Sequence, residues 1–175
     1  MKKNIIDAIS LKMMDNATHR GLSESTIYSD TDIISDISKI PNINEQGLTD
    51  GRTLLIHAAA YNRKKIVEYL LKNNAEMQLK DNLGFSALHA AVACSNKEIV
   101  ELLLSHGAPV NITDNLGNIP LFRASHNDPE IIKLLVDFGS DYNHKNNRDI
   151  SPYIKFQAYP TILELFKKWI FKYSF

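Results

Sequence analysis

Few side chains in this 175-residue chain could do covalent or metal chemistry: six histidines, one cysteine and a handful of serines in suggestive company. None of the histidines falls into a His-x-x-x-His pair, and Cys94 has no Cys-x-x-Cys companion, so the spacing that holds zinc is missing. Cys94 also has no base near it in sequence and reads as a small residue near a helix end; being alone, it can form no intrachain disulfide, which suits a reducing compartment. Gly84-Phe-Ser-Ala-Leu88 opens like a nucleophile elbow, yet it lacks both the closing glycine and a preceding strand. A glycine-rich phosphate loop is absent. We therefore expect no enzyme, no metal and no cofactor.

Charge narrows the partner class further. Lysine plus arginine and aspartate plus glutamate both number 20, which removes the basic signature of a nucleic-acid or anionic-membrane binder. The balance is uneven: residues 1–50 carry five basic and eight acidic side chains, residues 151–175 four and one. Met1-Lys-Lys-Asn-Ile-Ile begins like a signal peptide, but Asp7 and Lys12 interrupt the apolar run, and no stretch approaches the roughly 20 apolar residues of a spanning helix. Lys167-Lys-Trp-Ile-Phe-Lys172 combines basic and aromatic groups as a membrane-surface helix would, although a terminal cap with solvated lysines explains it as well. The expectation is a cytoplasmic protein with no membrane or nucleic-acid partner.

The elements that position these residues are set by a repeat. Gly51-Arg-Thr-Leu-Leu-Ile-His-Ala-Ala, Gly84-Phe-Ser-Ala-Leu-His-Ala-Ala-Val and Gly117-Asn-Ile-Pro-Leu-Phe-Arg-Ala-Ser start 33 residues apart. Each is followed by a second block: Ile66-Val-Glu-Tyr-Leu-Leu, Ile99-Val-Glu-Leu-Leu-Leu and Ile131-Ile-Lys-Leu-Leu-Val. A period of this length specifies stacked helical pairs. The first helix of each pair is lined with small residues such as Ala58, Ala59, Ala90 and Ala91, so it belongs to a tightly packed inner layer. Thr53 and Ser86 can cap it, and Pro120 suits the first helical position of the third copy. The second helix is amphipathic, with Ile99, Val100, Leu102, Leu103 and Leu104 on an apolar face and Lys97, Glu98 and Glu101 in water. Gly107, Gly139 and Asn74 then stop the second helix in a left-handed conformation. Turn-rich links such as Thr113-Asp-Asn-Leu-Gly117 project as hairpins.

The pattern resembles the ankyrin repeat over at least residues 49–146, most fully from Asp81 through Asn111. The resemblance implies an all-α solenoid of stacked helix-turn-helix units with projecting hairpin loops. We divide the chain as one domain: a diverged N-terminal cap and repeat over 1–48, repeats over 49–81, 82–114 and 115–146, and a C-terminal capping repeat over 147–175. Ile56 and Phe122 stand where His89 keeps the family histidine, trading a polar bridge for packing, and His57 lies one position later, facing either the next repeat or the groove. The third copy is one residue short near Asp128-Pro129. Outside the clear copies, Ile33, Ile34 and Ile37 suggest an outer helix near 32–40, whose inner partner around 21–28 has lost the motif. Residues 3–16 suggest an additional helix, and Pro160–Lys172 a last outer helix, for about five units in all.

The resemblance further implies that hairpin tips and inner helices form a concave protein-binding face. On this sequence the contact positions map to Arg52 and Tyr61 in the first copy and to Lys80, Asn82, Leu83, Phe85 and Cys94 in the second. Thr113, Asn115, Leu116, Asn118 and His126 follow in the third, with His144 and Lys145 beyond. Apolar groups at exposed tips make good anchors, so Tyr61, Leu83, Phe85 and Leu116 weigh most. The expected function is a non-catalytic module, monomeric before binding, that inhibits or sequesters one protein partner, as a bacterial immunity protein neutralises a toxin. A secreted effector or viral decoy acting on a host protein is the alternative, and a membrane-surface scaffold is the alternative of another class. The face assignment predicts that Leu103→Ala costs about 2–5 kcal/mol, whereas Lys97→Ala stays within about 0.5 kcal/mol; denaturant midpoints of the two variants measure the difference.

Overall fold

The computed structural model describes residues 5–15 and 28–173, with the side chains of all of these except 15 and 169–173. Within them lie ten helices and no strand: α1 (Ile5–Asp15), α2 (Asp30–Ile37), α3 (Leu54–Ala60), α4 (Lys64–Lys72), α5 (Ala87–Ala93), α6 (Lys97–Ser105), α7 (Pro120–Arg123), α8 (Pro129–Asp137), α9 (Pro152–Phe156) and α10 (Pro160–Tyr173). Odd-numbered helices pack on one another in an inner row and even-numbered helices follow in an outer row. One apolar core runs through both rows, from Ile6, Ile9 and Met13 at one end to Phe156, Ile162 and Phe166 at the other.

The inner helices α3 and α5 are short and almost wholly buried because alanines let their backbones approach; Ala58, Ala59, Ala87, Ala90 and Ala91 all lie in the core. Thr53, Ser86 and Ser151 each occupy the N-cap and accept the N–H three residues on, while Ile119 offers no side-chain cap and Pro120 follows it. The outer helices bury one stripe, as with Ile99, Val100, Leu103 and Leu104 on α6. Their ends close as expected, with Asn74, Gly107 and Gly139 at positive φ and with Ala75, Ala108 and Ser140 donating back to Leu70, Leu103 and Leu135.

Two elements differ from the sequence reading. The helix expected as an addition over 3–16 is the inner helix of the first pair: α1 packs on α2 and α3 and buries Ile6, Ile9 and Met13 there. Lys12 locks it to α2 through Asp36 at 2.5 Å. The segment 21–28, where that inner helix was expected, lies outside the described residues apart from Tyr28.

The inner helix of the third copy, α7, is also cut to four residues. In copies one and two a left-handed residue, Asn62 or Ser95, reverses the chain after seven helical residues; the shorter third copy has none and leaves the helix at Ala124 in extended backbone. The carbonyls freed at that end are taken up by Lys155 of α9, which donates to Phe122 at 2.6 Å and Ala124 at 2.9 Å. Burial, helped by the nearby Arg123 charge, pulls Lys155 down to about 8.

His89 ties adjacent units. Its Nε2 lies 3.0 Å from the Asn118 carbonyl, which can only accept, so Nε2 carries the proton and Nδ1 is free to accept from the Ser86 backbone and hydroxyl. The neutral imidazole is fully buried, and desolvation holds its pKa below the ordinary value despite the carbonyl contact. The unfolded chain therefore takes up this proton first as pH falls through about 6.5, and stability falls with it. Thermal midpoints measured between pH 7.5 and 5.5 should drop, with a slope shallower by up to one proton in His89→Gln.

Gly84 and Gly107 separate two costs of adding a methyl. Both have positive φ, but a Cβ at Gly84 would lie 2.5 Å from the Asn115 nitrogen, whereas one at Gly107 would meet nothing within 4 Å. Gly107→Ala should cost about 1 kcal/mol of backbone strain, and Gly84→Ala clearly more, about 3 kcal/mol or above. Urea unfolding of the pair tests the ranking.

Candidate functional site

The links between pairs end in tight tips, three of them organised by one Asp or Asn side-chain acceptor. Asp81 Oδ1 takes the N–H groups of Leu83 and Phe85 at 2.9 and 2.8 Å, and Asp114 Oδ1 those of Leu116 and Asn118 at 2.8 and 2.9 Å. Asn146 Oδ1 does the same for Arg148 and Ile150 at 2.9 and 3.1 Å. An Asx side chain mimics a backbone turn in this way. An arginine holds each aspartate from the inner-helix side: Arg52 Nε reaches Asp81 at 3.1 Å and Arg123 pairs with Asp114. Burial pushes the Asp114 carboxyl up, but Arg123 and the Asn118 bonds outweigh it and hold the group below its ordinary value.

Tips are also joined sideways. The Asn82, Asn115 and Asn147 N–H groups donate to Asp50, Leu83 and Leu116 carbonyls of the preceding tip at 2.9, 3.1 and 3.0 Å. Asn115 and Asn147 side chains repeat the step to Asn82 and Asn115 carbonyls at 2.9 and 3.2 Å. The side chains left outside this network are those of Leu83, Leu116 and Arg148; the carboxylate of Asp50, the corresponding residue of the first tip, accepts the Arg52 N–H at 3.0 Å. Leu83 is 62% exposed and Leu116 53%. They stand on consecutive tips between an acid and a base.

The expected contact residues divide accordingly. Leu83 and Leu116 are free apolar tips rather than fillers between hairpins. Asn118 is a correction: at 3% exposure it is buried, bonded to Asp114 and Asn146, because it closes its turn from inside. Arg52 is largely engaged with Asp81, Lys80 donates to the Thr113 carbonyl at 2.7 Å, and Asn82 and Asn115 belong to the tip ladder. His144 bridges to the Gly117 carbonyl at 3.0 Å, and exposed Lys145 pairs with Asp149 at 2.9 Å. Phe85 is half-buried, stacked on His89 at 5.5 Å with the Arg123 guanidinium 4.6 Å over its ring. Exposed Cys94 caps the far end of α5, about 10 Å along the helix from the tips. Exposed His126 stacks on Tyr159 at 3.9 Å.

Some functional candidates escaped the sequence reading because they are set by α1. An open cleft of about 280 Å³ lies between α1, α3 and the first tip, lined by Asp7, Ser10, Leu11, Met14, Thr49, Asp50, His57 and Tyr61. His57 is buried beside Tyr61, rings 6.1 Å apart, and its Nε2 is 3.7 Å from Asp50 Oδ2. Desolvation holds its pKa below the ordinary value, with Asp50 pulling the other way. Among the described residues no group of three or more His, Cys, Asp or Glu side chains is placed to hold a metal, and no helix is long and apolar enough to cross a membrane.

No curated protein matches the chain. The family model of ankyrin repeats, three copies, matches residues 26–114 and 75–146. Those two overlapping stretches span three complete helix pairs and the outer helix of the first. Tips, inner row and outer row all follow the repeat, and the chain belongs to the ankyrin-repeat family.

Proposed function

We propose that this chain binds one protein partner through the face made by its tips and inner helices, and that binding is itself the activity, by blocking or sequestering that partner. Ankyrin repeats are protein–protein interaction modules; the finer role rests on the tips. The observation that carries it is the pair Leu83 and Leu116, exposed at 62% and 53% on neighbouring tips that backbone and Asn side-chain bonds hold in place. Apolar groups carried on a backbone already held in place cost little backbone ordering on association, which favours tight inhibition over loose scaffolding. Neutralisation of a toxin by an immunity protein, or capture of a host protein by an effector or decoy, would both use such a face. Our reading puts the chain in the cytoplasm, a monomer before binding; the exposed thiol of Cys94, the one cysteine in the sequence, is the support for a reducing compartment.

The membrane-surface alternative draws less support. Ile162 and Phe166 of α10 face inward, Phe166 meeting Tyr142 and Phe156 at 5.7 and 5.8 Å, and Lys167 is paired with Glu164 at 3.0 Å.

The test uses the partner captured on immobilised protein from the source organism and then purified. Leu83→Glu together with Leu116→Glu should weaken its affinity about 30-fold or more, the loss expected of an anchor worth 2 kcal/mol, at an unchanged thermal midpoint. Unchanged affinity in a calorimetric titration would remove the tips from the interface.

A further inference from the structure

The cleft beside α1 is not explained by the tips. α1 buries Ile6, Ile9 and Met13 against the solenoid, yet on its other side Leu11 is 52% and Met14 40% exposed. Those two form one apolar wall of the cleft and Tyr61 contributes to the other. A helix apolar on both sides, at the edge of a concave face, leaves surface that solvation does not explain.

The polar end of the cleft is acidic. Asp50 and Asp7 line it, and Asp7 makes no ion pair or hydrogen bond among the described residues. Arg52 offsets Asp50 only partly, at 3.6 Å, since it is closer to Asp81 at 3.1 Å. Beside Asp50 sits His57, 6% exposed, its buried Nδ1 without a hydrogen bond and its Nε2 3.7 Å from Asp50 Oδ2. Its Nδ1 is sealed in the interior; Nε2, too far from Asp50 to bond at 3.7 Å, is the nitrogen turned to the cleft.

We infer that this cleft receives a lysine or arginine side chain of the partner protein, its methylene stem along Leu11, Met14 and Tyr61 and its cationic head at Asp7 and Asp50. The volume decides for a side chain: about 280 Å³ is at or below the smallest pockets that enclose a drug-sized ligand. Charge decides for a cation, and the apolar walls for one on a long alkyl stem, since such stems pack on apolar surface while the head stays at the polar rim. The cleft thus supplies an acidic specificity pocket next to two apolar anchors. This reading rests on the concave face as the binding surface.

Blocked tripeptides, acetyl-Ala-X-Ala-amide with X arginine, lysine, norleucine or glutamate, are titrated into the full chain while the Met14 methyl and His57 ring signals are followed by NMR. Arginine and lysine peptides should shift both signals saturably, with dissociation constants on the order of millimolar. Norleucine and glutamate peptides should bind at least tenfold more weakly. Asp7→Asn with Asp50→Asn should remove the preference for the cations while leaving the thermal midpoint in place.

Norleucine binding as tightly as lysine, or no saturation by about tenfold above millimolar peptide, overturns the proposal. So does binding that appears only after His19→Ala and Arg20→Ala, which would assign the cleft to residues 16–27 of the chain itself. Concentration-dependent dimerisation lost in the Asp50→Asn variant would assign it to a second copy and overturn it likewise. Because no partner is needed, the result is separable from the tip test: Leu83→Glu with Leu116→Glu should leave peptide binding unchanged.

Discussion

No helix pair in this chain can cover its own apolar sides, and lateral stacking is the constraint from which everything else follows. An inner helix of seven residues is too short to be stable alone in water, where even good helix formers need about twice that length. It persists because alanines at 58, 59, 90 and 91 let the next inner helix approach and because the outer stripe closes the other side. Lateral bonds then set the register. Asn96 donates to the Ala59 and Ala60 carbonyls at the end of α3, Asn111 to the Gly139 carbonyl, and Lys97 pairs with Glu130. The exposed Lys97–Glu130 pair contributes little energy by itself. Each Asn bond satisfies a backbone group of the neighbouring unit, so losing one leaves an unpaired carbonyl as well as a missing bond.

The same stacking explains why so much of the expected contact surface turned out to be occupied. A position can be exposed by the geometry of the repeat and still be committed to its neighbour. Lys80, Asn115 and His144 all spend a donor on a backbone carbonyl 27 to 33 residues away. Residues of this kind set the spacing of the tips, and their influence on binding acts through that spacing. The side chains of Leu83, Leu116 and Arg148 have no comparable duty, while the Asp50 carboxylate serves its own tip through the Arg52 N–H.

Periodicity made the three central units readable, because a 33-residue repeat reports stacking directly and caps such as Thr53, Ser86 and Gly107 have local chemical reasons. His89 was readable as a bridge for the same reason. Asn118 was not, since its counterparts Arg52 and Phe85 stay half-buried and only the identity of Asp114 and Asn146 turns this side chain inward. The ends were harder. No turn glycine of the repeat precedes α1 in the sequence, and its place in the inner row is decided by which helix its isoleucines meet. The truncation of α7 was visible as one missing residue, but its remedy was not: Lys155, on the next inner helix, lies 33 and 31 residues from the Phe122 and Ala124 carbonyls it caps.

Lys155 also shows how an irregular unit is stabilised without restoring the regular one. A lysine drawn down to about 8 by burial destabilises its own charged form, so the position is tolerated only because two carbonyls and the faces of Phe122 and Phe156 receive the ammonium. The Phe122 that replaces the bridging histidine of the second copy therefore provides more than packing. Its ring and its carbonyl both meet the cation, and the polar link between units survives in another chemistry. Where the second copy joins to the third through a neutral imidazole and a carbonyl, the third joins to the fifth pair through an ammonium, two carbonyls and an aromatic face. That substitution of one inter-unit bond for another lets the face stay continuous across a shortened helix, and a continuous face is what a rigid binding surface requires.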